Sequence, residues 1–456
     1  MNAMDPIDPA GFTHPEADPR ALLYFEWLQR RESGCAVDDF AEEVRDLARA
    51  EPPRAADCWR LLARMESAPR DPNWPYDEDP ADDPQSTDSD AAVAESSPPG
   101  APPARFYDRI LGGWLGRCAG STLGKPLHNG LRWPPQRIRA YLERADAYPL
   151  TDYVPVLAPM PEGYELRWGW PESTLDRIDG CPRDDDLDYP VLGLHVLEQL
   201  GIDFTAEELA GEWLQRLPFL QTAYAERVAY RNLIDGLQPP DTARRRNPYR
   251  EWTGAMSRAD IYGYVYPGDP GAASRLAARD ARLSHTGNGV WAAMWAAALV
   301  AAAFTATDAR DAMTTALAVI PEHSRLAVAL SQVLDDHRRG IGWDRATATV
   351  HARHDHYPWS HAIPNACLAA IGILWGAGDF TQTIGLTVQA GGAAGTTGAT
   401  AGSVCGVLLG AAAIPPHWTR PLDDRLRSAV AGYDGVRISD LARRTFDLSR
   451  LHVLGR

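Results

Sequence analysis

The sequence predicts an all-α fold, and three observations support this prediction. From Ala104 onward, apolar residues recur at helical spacing in one segment after another, and short loops rich in Gly, Pro and Trp separate the segments. No apolar–polar alternation runs long enough to indicate a sheet. Of the 456 residues, 45% are hydrophobic, which is enough to bury a large core. We therefore expect a compact helical domain over residues 104–456, preceded by a smaller helical element.

The N-terminal part divides into a helical element and an acidic linker. Residues 1–70 contain three segments with apolar residues at helical spacing, at 19–31, 37–50 and 54–66. Residues 71–100 carry nine acidic residues, no basic ones, and many Pro and Ser. This composition predicts a disordered linker over residues 71–103. The N-terminal segment is also a possible binding site for a protein partner.

The large domain contains many candidate helices that share apolar residues three and four positions apart. They are 107–123, 188–200, 206–216, 272–283, 290–305, 308–319, 323–337, 362–376, 380–389 and 400–412. Ala and Gly concentrate in the helices at 290–305 and 388–412. Such small residues predict helices that approach closely, or backbone that comes near a ligand.

Charge and composition exclude several classes of protein. The formal charge of −16 argues against a general nucleic-acid-binding protein. No uninterrupted run of 18 apolar residues predicts a membrane span, and the N-terminus has no pattern of a secretion signal. The six cysteines are scattered without a CxxC pair, which is typical of reduced thiols. We therefore expect a cytoplasmic location.

The strongest polar motif is an acidic run that directly precedes an apolar helix. It reads Arg183-Asp184-Asp185-Asp186-Leu187-Asp188. Mg²⁺ prefers oxygen ligands, so adjacent carboxylates at a helix start predict a site for this ion, held by Asp184, Asp185, Asp186 and Asp188. The alternative is a charged first turn that complements the helix dipole.

Three further segments carry polar groups that could line a site. The Gly-rich stretch 390–403 could contact a phosphate or ribose, or could pack helices tightly. The turn from Ser284 through His285 to Asn288 could cap a helix or line a pocket. The four histidines within 351–361 lack the spacing of a zinc site, so most are expected at the surface.

In order, these motifs resemble the ADP-ribosylglycohydrolase family, over about residues 107–415. The blocks that carry the resemblance are Gly113–His128, Asp184–Asp186, Asn247–Glu251 with Tyr264–Asp269, Leu283–Asn288, His361–Asn365, Gly378–Phe380 and Gly391–Ser403. The resemblance implies an all-α domain with two Mg²⁺ ions at the base of a cleft. It also implies hydrolysis of the bond between C1″ of ADP-ribose and an acceptor, and substrate contacts from Ser284, His285, Asn288, His361, Asn365, Gly392, Gly395 and Thr396.

The sequence departs from the family pattern at three places. Where the family has Gly-x-Asp-Thr-Asp, this chain has Ala393, Ala394 and Gly395, so both carboxylates are absent. His128 stands where the family usually has Glu, and Asp184 stands where it has Thr. We therefore expect fewer Mg²⁺ ions than two, and a diverged enzyme that acts on an ADP-ribosyl or other ribosyl or phosphorylated substrate. Its catalytic residues would be Asp185, Asp186 and, as a base, His128.

Two alternatives come from different classes of protein. The run Asp184-Asp185-Asp186-Leu187-Asp188 also resembles the Asp-Asp-x-x-Asp motif of class I terpene synthases, which would make the chain a lyase acting on an isoprenyl diphosphate. The other alternative is a catalytically inactive protein that binds ADP-ribose or regulates a partner.

Overall fold

The computed structural model describes residues 11–12, 14–76, 103–167 and 169–454. Helices dominate these ranges, and the prediction of an all-α fold is confirmed. The N-terminal element contains α1 (Pro19–Glu32), α2 (Ala41–Ala48) and α3 (Ala55–Glu66).

The helices of the large region follow in chain order. They are α4 (Pro103–Gly124), α5 (Pro135–Arg144), α6 (Asp185–Leu200), α7 (Ala206–Arg216), α8 (Tyr224–Ile234), α9 (Asp241–Arg244), α10 (Gly254–Arg258), α11 (Asp260–Val265), α12 (Pro270–Ala281), α13 (Gly287–Ala303), α14 (Ala309–Leu317), α15 (Arg325–Arg338), α16 (Trp343–Arg353), α17 (Ala362–Trp375), α18 (Phe380–Gln389), α19 (Ala394–Leu409), α20 (Pro416–Thr419) and α21 (Ile438–Leu454). In the described ranges, the sheet structure is one antiparallel hairpin of β1 (Arg425–Leu426) and β2 (Val436–Arg437), with Leu426 opposite Val436.

Helices α4 and α19 lie with their backbones in direct contact. Each carries a row of glycines four residues apart, namely Gly112, Gly116, Gly120 and Gly124 on α4, and Gly398, Gly402 and Gly406 on α19. A Cβ added at Gly120 would lie only 1.9 Å from the carbonyl oxygen of Gly398. Because no side chain separates the two helices, this glycine seam fixes the turn after α4 against the first turn of α19.

The centre of the core is formed by α13 and α17, which are apolar on every face. From Asn288 to Ala303, every residue of α13 is buried. A helix that is hydrophobic all round has to lie inside the protein, because it has no face to present to water. These two helices therefore form the rigid support behind the loops that carry polar groups.

The N-terminal element packs against the large domain through an apolar interface. Phe25 of α1 lies with its ring centroid 5.5 Å from the rings of both Tyr249 and Trp252. Next to them, Nη1 of Arg250 lies 2.7 Å from Oε2 of Glu26. The element is therefore attached to the domain by buried contacts, and its recruitment of a protein partner stays a prediction.

Residues at the start of the predicted linker pack against the N-terminal element. The backbone N–H of Asp71 donates to the carbonyl of Gly34 at 2.8 Å, and the ring of Trp74 covers Gly34. Residues 77–102, which make up most of the predicted disordered linker, lie outside the described residues.

Some helices differ from those that the sequence predicts. The helices α5, α8, α16 and α21 were not expected, because charged residues on their outer faces obscure a narrow apolar stripe. In addition, α19 begins at Ala394, so much of the stretch expected as a Gly-rich turn is helical, and its glycines serve the contact with α4.

Across the described ranges, no helix combines the length and apolar character that crossing a bilayer requires.

Candidate functional site

The acidic run forms the start of α6, as its position before an apolar segment predicts. Asp184 is the N-cap residue, and its Oδ1 accepts a hydrogen bond from the backbone N–H of Asp186 at 3.2 Å. Asp185 and Asp186 occupy the first helical turn. Carboxylates at this position interact favourably with the positive end of the helix dipole.

Basic side chains from other segments compensate the charge of Asp184. Nζ of Lys125 lies 3.6 Å from its Oδ2, and Nη1 of Arg167 lies 3.9 Å from the same oxygen. Burial opposes ionisation of Asp184, but the charges of Lys125 and Arg167 outweigh burial and hold the pKa of this carboxyl well below its usual range. Asp184 is therefore a fixed anion that is paired within the protein.

Asp185 and Asp186 have a different environment, because both line a cavity. Asp185 is half-buried, and burial together with the neighbouring charge of Asp184 raises its pKa to about 6. Burial also raises the pKa of Asp186 well above its usual value. The hydroxyl of Thr396 donates to Asp186, with Oγ1 lying 3.1 Å from Oδ1 and 3.0 Å from Oδ2. The structure thus brings Asp185, Asp186 and Thr396 together.

The structure does not bring Asp188 to this cavity. Nε of Arg183 lies 2.7 Å from its Oδ2. Its Oδ1 accepts hydrogen bonds from the Ser428 hydroxyl at 2.8 Å and from the Ala429 backbone N–H at 2.9 Å. Since both oxygens are bonded to protein donors, Asp188 joins α6 to the segment that follows β1.

The cavity has a volume of about 430 Å³, which is in the range of small-molecule sites. His128, Asp185, Asp186 and Thr396 form part of its lining, and Arg167 and Glu226 contribute further charges. Six aromatic side chains also line it, namely Phe12, Trp133, Tyr189, Tyr224, Trp252 and Trp359. The cavity therefore offers flat apolar surfaces beside a group of carboxylates.

The acceptor nitrogen of His128, which the sequence suggests as a base, is already bonded within the protein. Nδ1 accepts a hydrogen bond from the backbone N–H of Gly395 at 3.1 Å. Burial, assisted by the positive charge of Arg167, lowers the pKa of His128 to about 3, so the ring is neutral and carries its proton on Nε2. The imidazole packs edge-on against Trp359 at a centroid distance of 5.4 Å. In this tautomer His128 is a hydrogen-bond donor.

Asn365 and Gly392 shape the turn that leads into α19. Oδ1 of Asn365 accepts from the backbone N–H of Ala393 at 2.8 Å, and its Nδ2 donates to the carbonyls of Trp359 and His361, each at 2.8 Å. Gly392 has a φ of +70°, and a Cβ there would lie 2.6 Å from Oδ1 of Asn365. The two residues therefore position the turn, and neither belongs to the cavity lining.

Ser284, His285, Asn288 and His361 lie behind the cavity wall and are all buried. The Ser284 hydroxyl lies 2.8 Å from Nδ1 of His285. Oδ1 of Asn288 accepts from the backbone N–H of Leu326 at 3.1 Å. Nδ1 of His361 accepts from the backbone N–H of Ile363 at 3.2 Å. None of the four lines the cavity, and the bonds above join loops and helix starts.

Sequence reasoning missed several cavity residues. Arg167 lies in a loop that follows no recognisable motif, and Glu226 lies on α8, which was not predicted. The high tryptophan content was the one available signal for Trp252 and Trp359, but it did not identify positions.

A family model described as ADP-ribosylglycohydrolase matches residues 102–452. The chain belongs to the ADP-ribosylglycohydrolase family. Among solved structures, a chain of an "ADP-ribosylglycohydrolase-related protein complex" is 22% identical, and the match covers 76% of this chain and 99% of that one with a TM-score of 0.48. A search of curated proteins gives no match.

Membership of the ADP-ribosylglycohydrolase family confirms the resemblance predicted from the motifs and supports an ADP-ribosylglycohydrolase-like function of the glycosyl-hydrolase type. The diphosphate-lyase alternative receives no support. That alternative rests on the Asp-Asp-x-x-Asp pattern of Asp184, Asp185 and Asp188. Asp184 is paired with basic side chains, and Asp188 is bonded to Arg183 outside the cavity. Asp185 is thus the one member of that motif that lines the cavity.

The residues present do not fit the two-ion centre of other ADP-ribosylglycohydrolases. A Cβ at Gly395 would lie 3.7 Å from Oδ2 of Asp186 and 2.8 Å from Nδ1 of His128, so this position faces the acidic run but offers no side-chain ligand. Among the residues that the structure describes, no group of three or more His, Cys, Asp and Glu side chains is arranged to hold a metal. The oxygen donors beside this position are Asp185 and Asp186 at the start of α6 and Thr396 in the first turn of α19, whose hydroxyl donates to Asp186.

Proposed function

We propose that this protein hydrolyses the bond between C1″ of a ribose and an acceptor atom in a small molecule that carries phosphate or diphosphate. The observation that carries the proposal is the presence of Asp185, Asp186 and Arg167 in one aromatic-lined cavity. Arginine binds phosphate oxygens with paired, charge-assisted hydrogen bonds, and aromatic side chains provide flat surfaces for rings. Family membership supplies the class of bond that is broken.

In the proposed reaction, a water oxygen bonds to C1″ while the bond from C1″ to the acceptor breaks. Asp185, the half-buried carboxylate, accepts a proton from the water and passes it to the leaving atom. Thr396 holds the Asp186 carboxylate in place through its hydroxyl. Nε2–H of His128 donates to a ribose or phosphate oxygen, which is work that a glutamate at this position could not do.

A single Mg²⁺ forms part of the proposal, held by Asp185 and Asp186. When bound, such an ion supplies Lewis-acid binding of ribose or phosphate oxygens. Calorimetric titration with MgCl₂ tests this point directly. We expect uptake of one ion, which is lost in Asp186→Asn. Equal uptake by the wild type and the variant would contradict the assignment of these ligands.

The reaction is tested by measuring release of ADP-ribose from ADP-ribosyl-arginine and from an ADP-ribosylated serine peptide by chromatography. We expect Asp185→Asn to lower the rate at least ~100-fold, because it removes the proton acceptor. The matched control is Asp355→Asn, since the Asp355 side chain is 80% exposed and lies outside the cavity lining. Equal rates for the wild type and Asp185→Asn would contradict the proposed role.

A second candidate function is binding of ADP-ribose without catalysis. It is favoured by one observation: the turn into α19 faces Asp186 with Gly395, which has no ligand side chain. Release of no ADP-ribose from either compound, together with calorimetric binding of free ADP-ribose, would identify the protein as a binder.

A further inference from the structure

One wall of the cavity comes from outside the domain that the family model matches. Phe12, Pro15 and Glu16 all line the cavity, whereas the family match begins at residue 102. The N-terminal segment therefore contributes to the candidate site, although nothing in the family motifs refers to it. A site built from two separate parts of a chain can differ in access from a site built by the domain alone.

Buried polar contacts fasten this segment beside α8. Oε1 of Glu16 accepts a hydrogen bond from the backbone N–H of Tyr224 at 2.8 Å, and Nη1 of Arg227 lies 3.3 Å from its Oε2. Arg231 donates to the backbone carbonyl of Glu16. The Tyr249 hydroxyl donates to the carbonyl of Pro15 at 3.0 Å. Glu16 is only 4% exposed, so these contacts replace water and hold the segment in one position.

The helix that follows makes the attachment firm. Arg250 contacts both carboxylate oxygens of Glu26, at 2.7 and 3.2 Å. Nη1 of Arg325 donates to the carbonyl of Glu32 at the end of α1, at 2.8 Å. Because these contacts hold α1, Pro15 and Glu16 cannot move away from the cavity without breaking buried contacts.

We propose that Phe12, Pro15 and Glu16 form an outer wall that admits free small molecules to the cavity and excludes the same ribosyl group when it is carried on a folded protein. The inference rests on the proposed function, and it names the substrate class. The wall leaves a volume of about 430 Å³, which suits a free ligand. The Glu16 side chain contributes the two side-chain contacts that hold the wall, one with Tyr224 and one with Arg227.

The activity test compares one ribosyl bond in two settings. ADP-ribose release is measured from free ADP-ribosyl-arginine and from a folded protein that carries the same modification. In the wild type we expect much faster release from the free compound than from the protein. In Glu16→Ala, release from the protein should rise ~10–100-fold, because a charged hydrogen bond worth about 1.5–3 kcal/mol no longer holds the wall. The control Glu322→Ala removes an exposed glutamate outside the cavity and should behave as the wild type.

A second test does not depend on turnover. Ala223 lines the cavity beside Tyr224 and is half-buried, so a cysteine introduced there reports on access to the cavity. The half-buried thiol of Cys35 would also react, so it is removed as Cys35→Ser. A small maleimide should react with the thiol that Ala223→Cys introduces. A maleimide on a long polyethylene glycol chain should react ~10–100-fold faster with the Ala223→Cys variant that also carries Glu16→Ala than with the variant that keeps Glu16. Equal rates of the bulky reagent with and without Glu16→Ala would overturn the inference.

The two tests separate failure of the wall from failure of the reaction. If neither compound is hydrolysed but labelling follows the expectation, the proposed function is wrong and the wall stands. If the wild type releases ADP-ribose from the folded protein as fast as from the free compound, the wall does not exclude proteins. A variant lacking residues 1–16 removes the wall and keeps the N-cap Asp18 of α1, so it provides a second way to expose the cavity.

Discussion

Two of the clusters of charged side chains in the large domain include residues from motifs that the sequence marks, namely Asp185 and Asp186 in one and Glu251 and His361 in the other. On the cavity floor, Asp185 and Asp186 line open space. In the second cluster, Arg325, Glu251 and His361 are all buried, and Nη2 of Arg325 lies 2.7 Å from Oε2 of Glu251. The residue types are similar, but only the floor has carboxylates that a ligand can reach. Access therefore separates a binding site from an internal support better than residue identity does.

The largest effect is expected from a substitution that disrupts the buried cluster of Arg325, Glu251 and His361. Arg325→Met leaves Glu251 as a buried charge without its closest cation and removes the bond to the carbonyl of Glu32. We expect the free energy of unfolding to fall by about 3–5 kcal/mol, measured by urea denaturation. The exposed Arg353 provides the matched control as Arg353→Met. A loss of less than about 1 kcal/mol would show that the cluster is not a support.

The next effect concerns the pH dependence of the same cluster. Burial lowers the pKa of His361 to about 4 in the folded protein, from 6.5 for the free side chain. The unfolded chain therefore binds a proton first as the pH falls, so stability is full above pH ~6.5 and is lost as the pH falls through ~4. The loss amounts to about 3 kcal/mol.

His361→Gln removes this titration, so the stability of the variant should fall less steeply between those pH values. Denaturation midpoints measured at several pH values check the slope. Parallel curves for the wild type and the variant would show that His361 does not contribute.

The smallest effect on stability is expected on the cavity floor. The Arg167 side chain is 37% exposed and lies 3.9 Å from Asp184, so Arg167→Met should change stability by less than about 1 kcal/mol. It should nevertheless weaken calorimetric binding of ADP-ribose ~10–100-fold, because a charged contact to phosphate is lost. Unchanged affinity would remove Arg167 from the site and would weaken the contrast between the two clusters.

Much of the fold could be predicted because periodicity is local. The buried helices α13 and α17 were predicted from their apolar residues, whereas α5 and α8 were missed because charged outer faces hide their narrow apolar stripes. The helix over 400–412 and the close approach of its small residues were predicted, but the partner helix was not, since α4 lies about 280 positions earlier in the chain.

The site was predicted only in part, because side-chain direction depends on contacts that are distant in sequence. The acidic run identified the start of α6, and Asp185 and Asp186 do line the cavity. Nothing local shows that Asp188 is bonded to Ser428, 240 residues away. Likewise, the contact between Glu16 and Tyr224 joins two segments that carry no shared motif.

The glycine seam between α4 and α19 has a consequence for how this protein can diversify. The two backbones touch at Gly120 and Gly398, so any larger residue there would push the helices apart and carry His128 away from Gly395. Substitutions that adapt the cavity to a new ligand are therefore not expected at these glycines. Phe12, at the outer wall of the cavity, lies outside this seam.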